Sequence, residues 1–224
     1  GLAGRGIDRN QAAAIMRRSV ELAREAAGSG RVVAASVGPY GAMLGNGAEY
    51  TGDYDKDEDQ LVEFHVPRIE ALAEAEPDVL AVETIPSSVE ARALVRALEK
   101  VPEIPAWVSF SCRDGRHICD GTPIASAVEA VASAPGVVAV GVNCTSPLFV
   151  ERLVETISDT TGKHIVCYPN RGSFWDPMRK TWTDPPRQDA RPPLRPLAWK
   201  EAGASLIGGC CGTTPDHIAA FAER

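Results

Sequence analysis

A parallel α/β fold is what this 224-residue sequence predicts, on three observations. Short apolar, β-branched runs alternate with longer amphipathic stretches about every 30 residues, the rhythm of strand-helix-strand units. The runs are continuously apolar, as burial on both faces of a parallel sheet requires. A leading amphipathic stretch, 8–28, has no strand before it. Two architectures accommodate that orphan helix. In a (β/α)8 TIM barrel it is the second helix, and the first two strands are absent from the sequence given. In an open doubly wound sheet, six strands suffice.

In chain order, helix 8–28 leads to a strand at 31–38, "RVVAASVG". Helix 57–75 leads to strand 78–84, "DVLAVET", and helix 87–100 to strand 105–111, "PAWVSFS". Helix 122–133 precedes strand 136–143, "GVVAVGVN", and helix 147–160 precedes strand 164–169, "HIVCYP". The last pair is helix 193–202 with strand 204–209, "ASLIGG", before a final helix from 214. Thr214 as N-cap, Pro215 at the first helical position and Asp216 in the first turn mark that start; Ser146 and Pro147 repeat the pattern. The connection 170–191 exceeds the length of an ordinary turn, and Phe174, Trp175 and Trp182 within it predict a lid that packs on something.

Composition narrows the partners. With 44% hydrophobic and 24% charged residues the chain is ordinary globular material, expected as one domain over 1–224. A net charge of -7 with interspersed signs offers no basic stripe for nucleic acid or an anionic membrane. No apolar run approaches the roughly 18 residues of a membrane span, and "GLAGRGIDRN" lacks a signal-peptide pattern. Small-molecule partners and a cytoplasmic location are expected, with oligomerisation open.

The six cysteines (Cys112, Cys119, Cys144, Cys167, Cys210, Cys211) are too sparse for a disulfide scaffold. Cys210 and Cys211 are adjacent, with Cα atoms about 3.8 Å apart, below the usual disulfide range of about 4.4–6.8 Å. Two thiolates on one ion is the relaxed alternative. Ligands in parallel α/β folds bind at the carboxyl ends of the strands, and Glu83, Cys144, Cys210 and Cys211 all fall there. Three thiolates with one open position suit a catalytic zinc, which soft sulfur selects. Three negative charges against two make such an ion a poor activator of water, but a good holder of a substrate thiolate aimed at an electrophilic methyl group. No further catalytic residue is required. Gly208 and Gly209 allow close backbone approach to the ligand.

The stretches "ASVGPYGAMLGNGAEYTGDY", "AVETIPSSVEARAL", "CDGTPIASAV", "GVNC", "CYPNRG" and "GASLIGGCCGTTPDHI" resemble the homocysteine S-methyltransferases over essentially the whole chain. The "SVGPYG" to "YTGDY" stretch is most similar to the branch that uses S-methylmethionine or S-adenosylmethionine. The resemblance implies a (β/α)8 barrel, zinc on Cys144, Cys210 and Cys211, and homocysteine sulfur at the fourth position. It implies that Glu83 holds the substrate ammonium, with Asn143 and Gly209 also at the substrate. Tyr40, Tyr54 and Trp182 are candidates to face a sulfonium donor by cation-π attraction. Relatives carry a DGG-type strand and a second strand that this sequence lacks, so a longer native protein is expected. A truncated, inactive zinc- or thiol-binding protein, a vicinal-thiol redox protein and a betaine-type donor remain alternatives. Cys112, His117 and Cys119 lie outside the motifs, and Cys167, His65, His164 and His217 read as structural.

Overall fold

The computed structural model describes residues 3–172, 174–176, 178–179, 181–183 and 192–223. Helix α1 (Arg9–Ala27) precedes β1 (Ala34–Val37), which is followed by the short α2 (Tyr40–Leu44) and by α3 (Glu58–Ala73). Then β2 (Val79–Ile85), α4 (Ser88–Leu98), β3 (Ala106–Phe110), α5 (Ile124–Ala132), β4 (Val137–Asn143), α6 (Pro147–Thr160) and β5 (His164–Tyr168) alternate. A small hairpin, β6 (Phe174–Asp176) with β7 (Thr181–Thr183), precedes α7 (Pro196–Glu201), β8 (Leu206–Ile207) and α8 (Pro215–Ala222). Helix starts are written locally. Asp8 with Gln11 and Asp57 with Gln60 form reciprocal capping boxes at α1 and α3, and Ser87 accepts from the Glu90 N–H at α4. Thr214 caps α8 as expected, in a box completed by His217, whereas Ser146 makes no side-chain cap.

Six strands pair in parallel in the order β1-β2-β3-β4-β5-β8, each beside its predecessor. Helices α1, α3, α4, α5, α6 and α7 pack in sequence against one another, as right-handed crossovers in one direction along the sheet produce. The sheet is a half-barrel. A doubly wound sheet needs a reversal of strand order, and this order has none, so that alternative is overturned.

Burial on both faces of the strands, expected from their composition, holds for Ala81, Ala139 and Val166 as well as for the helix-facing residues, but the second face also carries polar side chains. Leu80, Val82, Val108, Phe110, Val140 and Ile165 belong to the continuous core beneath the helices. Their alternating neighbours Ser36, Glu83, Trp107, Ser109, Asn143 and Tyr168 face the other way. The long connection 170–191 contains the β6-β7 hairpin; of the rest of the expected lid, residues 173, 177, 180 and 184–191 lie outside the described ones. Among the described residues no helix is long and apolar enough to cross a membrane.

A buried polar cluster ties the loops after β1 to the helices. Glu90, fully enclosed at the start of α4, accepts from the Tyr40 backbone N–H at 2.6 Å, the Tyr54 hydroxyl, and His65 Nε2 at 2.9 Å. Arg68 donates to His65 Nδ1 at 3.2 Å and to the Gly38 carbonyl at 3.0 Å. Because guanidinium only donates, His65 carries its proton on Nε2. Burial, outweighing the adjacent Glu90, holds the His65 pKa below its ordinary value. The folded protein therefore keeps the ring neutral where the unfolded chain protonates it. This contribution to stability is complete above the unfolded pKa of about 6.5 and is lost at up to about 1.4 kcal/mol per pH unit as pH falls toward the folded value. Urea midpoints should drop more steeply below about pH 6.5 for the wild type than for His65→Gln. Parallel pH profiles would contradict this assignment.

Candidate metal centre

The residues that follow three neighbouring strands build the site. From the last residue of β5 onward, the segment 168–171 continues the sheet's hydrogen bonding on both sides. Toward β4, Cys144 N–H donates to the Tyr168 carbonyl at 3.2 Å, Asn170 N–H to the Thr145 carbonyl at 3.1 Å, and Asn170 Nδ2 to the Cys144 carbonyl at 3.2 Å. Toward β8, Cys210 N–H donates to the Pro169 carbonyl and Arg171 N–H to the Cys211 carbonyl, each at 2.9 Å. Cys144 turns out of β4 with φ 46°, a left-handed conformation uncommon for a residue with a Cβ. Gly209 has a different constraint: a Cβ there would run into the Thr213 side chain, whose hydroxyl donates to the Cys210 carbonyl at 2.6 Å.

The three sulfurs meet. Cys144 Sγ lies 3.5 Å from Cys211 Sγ, Cys210 Sγ lies 3.9 Å from Cys211 Sγ, and all three lie within 4.8 Å of one another as free cysteines. Ligands about 2.3 Å from a tetrahedral zinc stand about 3.8 Å apart along an edge, so the spacing fits three corners of such a site. Among the described residues this is the one group with metal-ligand geometry. Sharing of protons with Cys210 and Cys211, then burial, raises the Cys144 pKa, while the Cys144 and Cys210 thiols stabilise the Cys211 thiolate and lower its pKa.

Glu83, two residues before the end of β2, lies near enough to these sulfurs that its charge opposes the Cys211 thiolate. Its Oε1 accepts from Ser36 Oγ at 2.5 Å and its Oε2 from the Tyr168 hydroxyl at 2.9 Å. Among the described residues no cationic side chain pairs with it. Thr84, the next residue, has φ 60°, a strained value for a β-branched side chain. Asn143 holds that turn: Thr84 N–H donates to its Oδ1 and its Nδ2 donates to Thr84 Oγ1, both at 2.7 Å. Asn143, 1% exposed, thereby links Glu83's turn to the cysteine that follows it in sequence.

The aromatic candidates separate. Tyr54 is bound to Glu90, and the Tyr40 ring packs between Tyr54 and Phe64 at centroid distances of 5.4 and 5.0 Å. Lys56 already lies over the Tyr40 ring, 5.9 Å from its centroid. The side chain of Trp182 lies outside the described ones. Tyr50 is the tyrosine at the thiols: burial first, then the Cys144 and Cys211 sulfurs, push its pKa above the usual range. Its position follows from Gly41, where a Cβ would strike the backbone at Ala48 and Glu49. No spacing rule in the sequence distinguishes Tyr50 from Tyr54. His117 pairs with Asp114 and Cys119 with Ser111, so neither joins a metal cluster.

Comparison with known proteins agrees with this geometry. A model of the homocysteine S-methyltransferase family matches residues 2–224. The chain belongs to that family. It is 43% identical to homocysteine S-methyltransferase YbgG of Bacillus subtilis, over 97% of this chain and 73% of the relative. The oxidized form of the homocysteine methyltransferase MmuM from Escherichia coli superposes with a TM-score of 0.87 at 39% identity, over 100% of this chain and 75% of that one. The metallated form of MmuM does so with a TM-score of 0.84 at 40% identity, over 99% and 74%. Membership of the homocysteine S-methyltransferase family makes the protein a methyltransferase and accords with a metal on the cysteine trio.

Replacing Asn143 with Ala leaves the Thr84 turn and Ser109 without their buried partner, and should lower unfolding free energy by about 1–3 kcal/mol. The three cysteine sulfurs are untouched, so the metal content measured for the wild type should be retained. Loss of metal at unchanged denaturation midpoint would contradict the structural role of Asn143.

Proposed function

We propose that the protein transfers a methyl group from a sulfonium donor, S-methylmethionine or S-adenosylmethionine, to the sulfur of homocysteine. Zinc held by Cys144, Cys210 and Cys211 is part of the proposal, as is a (β/α)8 barrel to which the six-stranded half-barrel contributes. The observation that carries it is the sulfur triangle, spaced like three corners of a tetrahedron at the carboxyl ends of parallel strands. Zinc bound there supplies a Lewis acid that keeps the substrate sulfur deprotonated at neutral pH.

The chain's own residues do the rest. Homocysteine presents a thiol at one end and an ammonium and carboxylate at the other, and Glu83 lies beside Cys211 with no cation of its own among the described residues. We assign the ammonium to Glu83, which fixes the substrate's length between carboxylate and sulfurs. Asn143 maintains the Thr84 turn that aims Glu83, and Gly209 lets the cysteine pair close against Thr213. The sulfur lone pair forms the new C–S bond as the donor's methyl–sulfonium bond breaks. The products are methionine and the donor's neutral thioether, and the thiol proton leaves to solvent. The Tyr50 side chain, near Cys144, suits a cationic donor better than an uncharged one. Tyr40 and Tyr54 support the donor side indirectly, through the Glu90 cluster that fixes their loop. A reducing compartment such as the cytoplasm keeps the three thiols available.

Zinc-loaded protein offered homocysteine with S-methylmethionine, S-adenosylmethionine or betaine in parallel should form methionine from at least one sulfonium donor. Cys210→Ser should lose tightly bound zinc and reduce turnover at least about 100-fold, since metal sites lose function with a ligand. Full turnover in that variant, or transfer from betaine alone, would refute the proposal.

A further inference from the structure

We infer that Tyr168, braced by the indole of Trp107, is the positioning residue that aims Glu83 at the substrate ammonium and so sets selectivity for amino-acid thiols. The inference rests on the assignment of Glu83 made above and extends it to two residues outside the sequence motifs' assigned roles.

The direction of one proton carries it. Tyr168 OH stands 3.0 Å from Trp107 Nε1, 2.6 Å from Ser109 Oγ and 2.9 Å from Glu83 Oε2. An indole N–H only donates, and an ionised carboxylate only accepts. The single phenolic proton therefore goes to Glu83, while the phenol oxygen receives the indole N–H and the Ser109 hydroxyl proton. The Trp107 and Tyr168 rings meet edge to face at 75° with centroids 6.3 Å apart, which restrains the phenol ring as well as its oxygen.

Glu83 consequently has one neutral donor on each oxygen, Ser36 from β1 and Tyr168 from β5. Neither donor cancels its charge, and each leaves a lone pair for a cation. A half-exposed Glu would otherwise sample several rotamers and lose that freedom when the ammonium binds. Tyr168 removes the cost in advance. Tyr168 is also the residue whose carbonyl receives the Cys144 N–H, so one residue fixes both ends of the substrate span.

The test compares homocysteine with 4-sulfanylbutanoate, which lacks only the amino group, as substrates of the zinc-loaded protein. Tyr168→Phe should raise KM for homocysteine roughly tenfold, with the effect falling on KM rather than kcat, and leave KM for 4-sulfanylbutanoate and zinc stoichiometry unchanged. In a Glu83→Gln background, Tyr168→Phe should have no further effect on homocysteine. Trp107→Phe, which keeps a ring and removes the N–H, should shift homocysteine KM in the same direction by less. Equal losses for both thiols, or additivity with Glu83→Gln, would overturn the positioning role while leaving the Glu83 assignment standing. If Glu83→Gln itself leaves the preference for homocysteine intact, the assignment of the ammonium fails and the inference falls with it.

Discussion

The distance between Cys144 and the Cys210–Cys211 pair is set by backbone hydrogen bonds to the one segment lying between them, 168–171. That segment is bonded to the end of β4 on one side and to the turn after β8 on the other. Backbone groups, unlike long side chains, have little freedom to drift, so three sulfurs from two distant parts of the sequence are held within 4.8 Å. Left-handed Cys144 and the crowded Gly209 turn are local costs of that convergence, borne by the ladder and by Thr213.

The half-barrel divides its labour by face. Alternation along each strand sends aliphatic side chains into the helices and a connected set of polar ones to the opposite face. From Ser36 through Glu83, Tyr168, Ser109 and Asn143 to Thr84, polar contacts join β1, β2, β3, β4 and β5 on that face, with the one Ser109 proton shared between the Tyr168 oxygen and Asn143 Oδ1. Such a network is stable only when its members are satisfied, and Glu83 is the member left with capacity facing the thiols. The Glu90, His65 and Arg68 cluster performs a parallel task on the helix side, fixing the loop that brings Tyr50 to Cys144.

Much of this was legible in the sequence. All six strands of the parallel sheet and the seven longer helices fall within a few residues of their expected places, because apolar runs, caps and prolines act locally. The strand ends identified Cys144, Cys210, Cys211 and Glu83 as neighbours, since a parallel sheet gathers those ends by topology. The inner polar face was hidden: Ser109 and Trp107 sit inside a run that reads as apolar, and no short-range rule reports which face a strand turns to a helix. Tyr40 and Tyr54 were indistinguishable from Tyr50 because their roles depend on Glu90, 36 residues from Tyr54, and on the close packing at Gly41. The short α2 and the β6-β7 hairpin lack the length over which periodicity becomes readable.

The claim on which the rest turns is that the open corner of the cysteine triangle receives the substrate's own sulfur. Zinc-edge X-ray absorption of the zinc-loaded protein, before and after homocysteine is added, measures that directly. The sulfur shell at about 2.3 Å should rise from three scatterers to four as a lighter ligand is lost. A shell that stays at three sulfurs with saturating homocysteine would contradict the account.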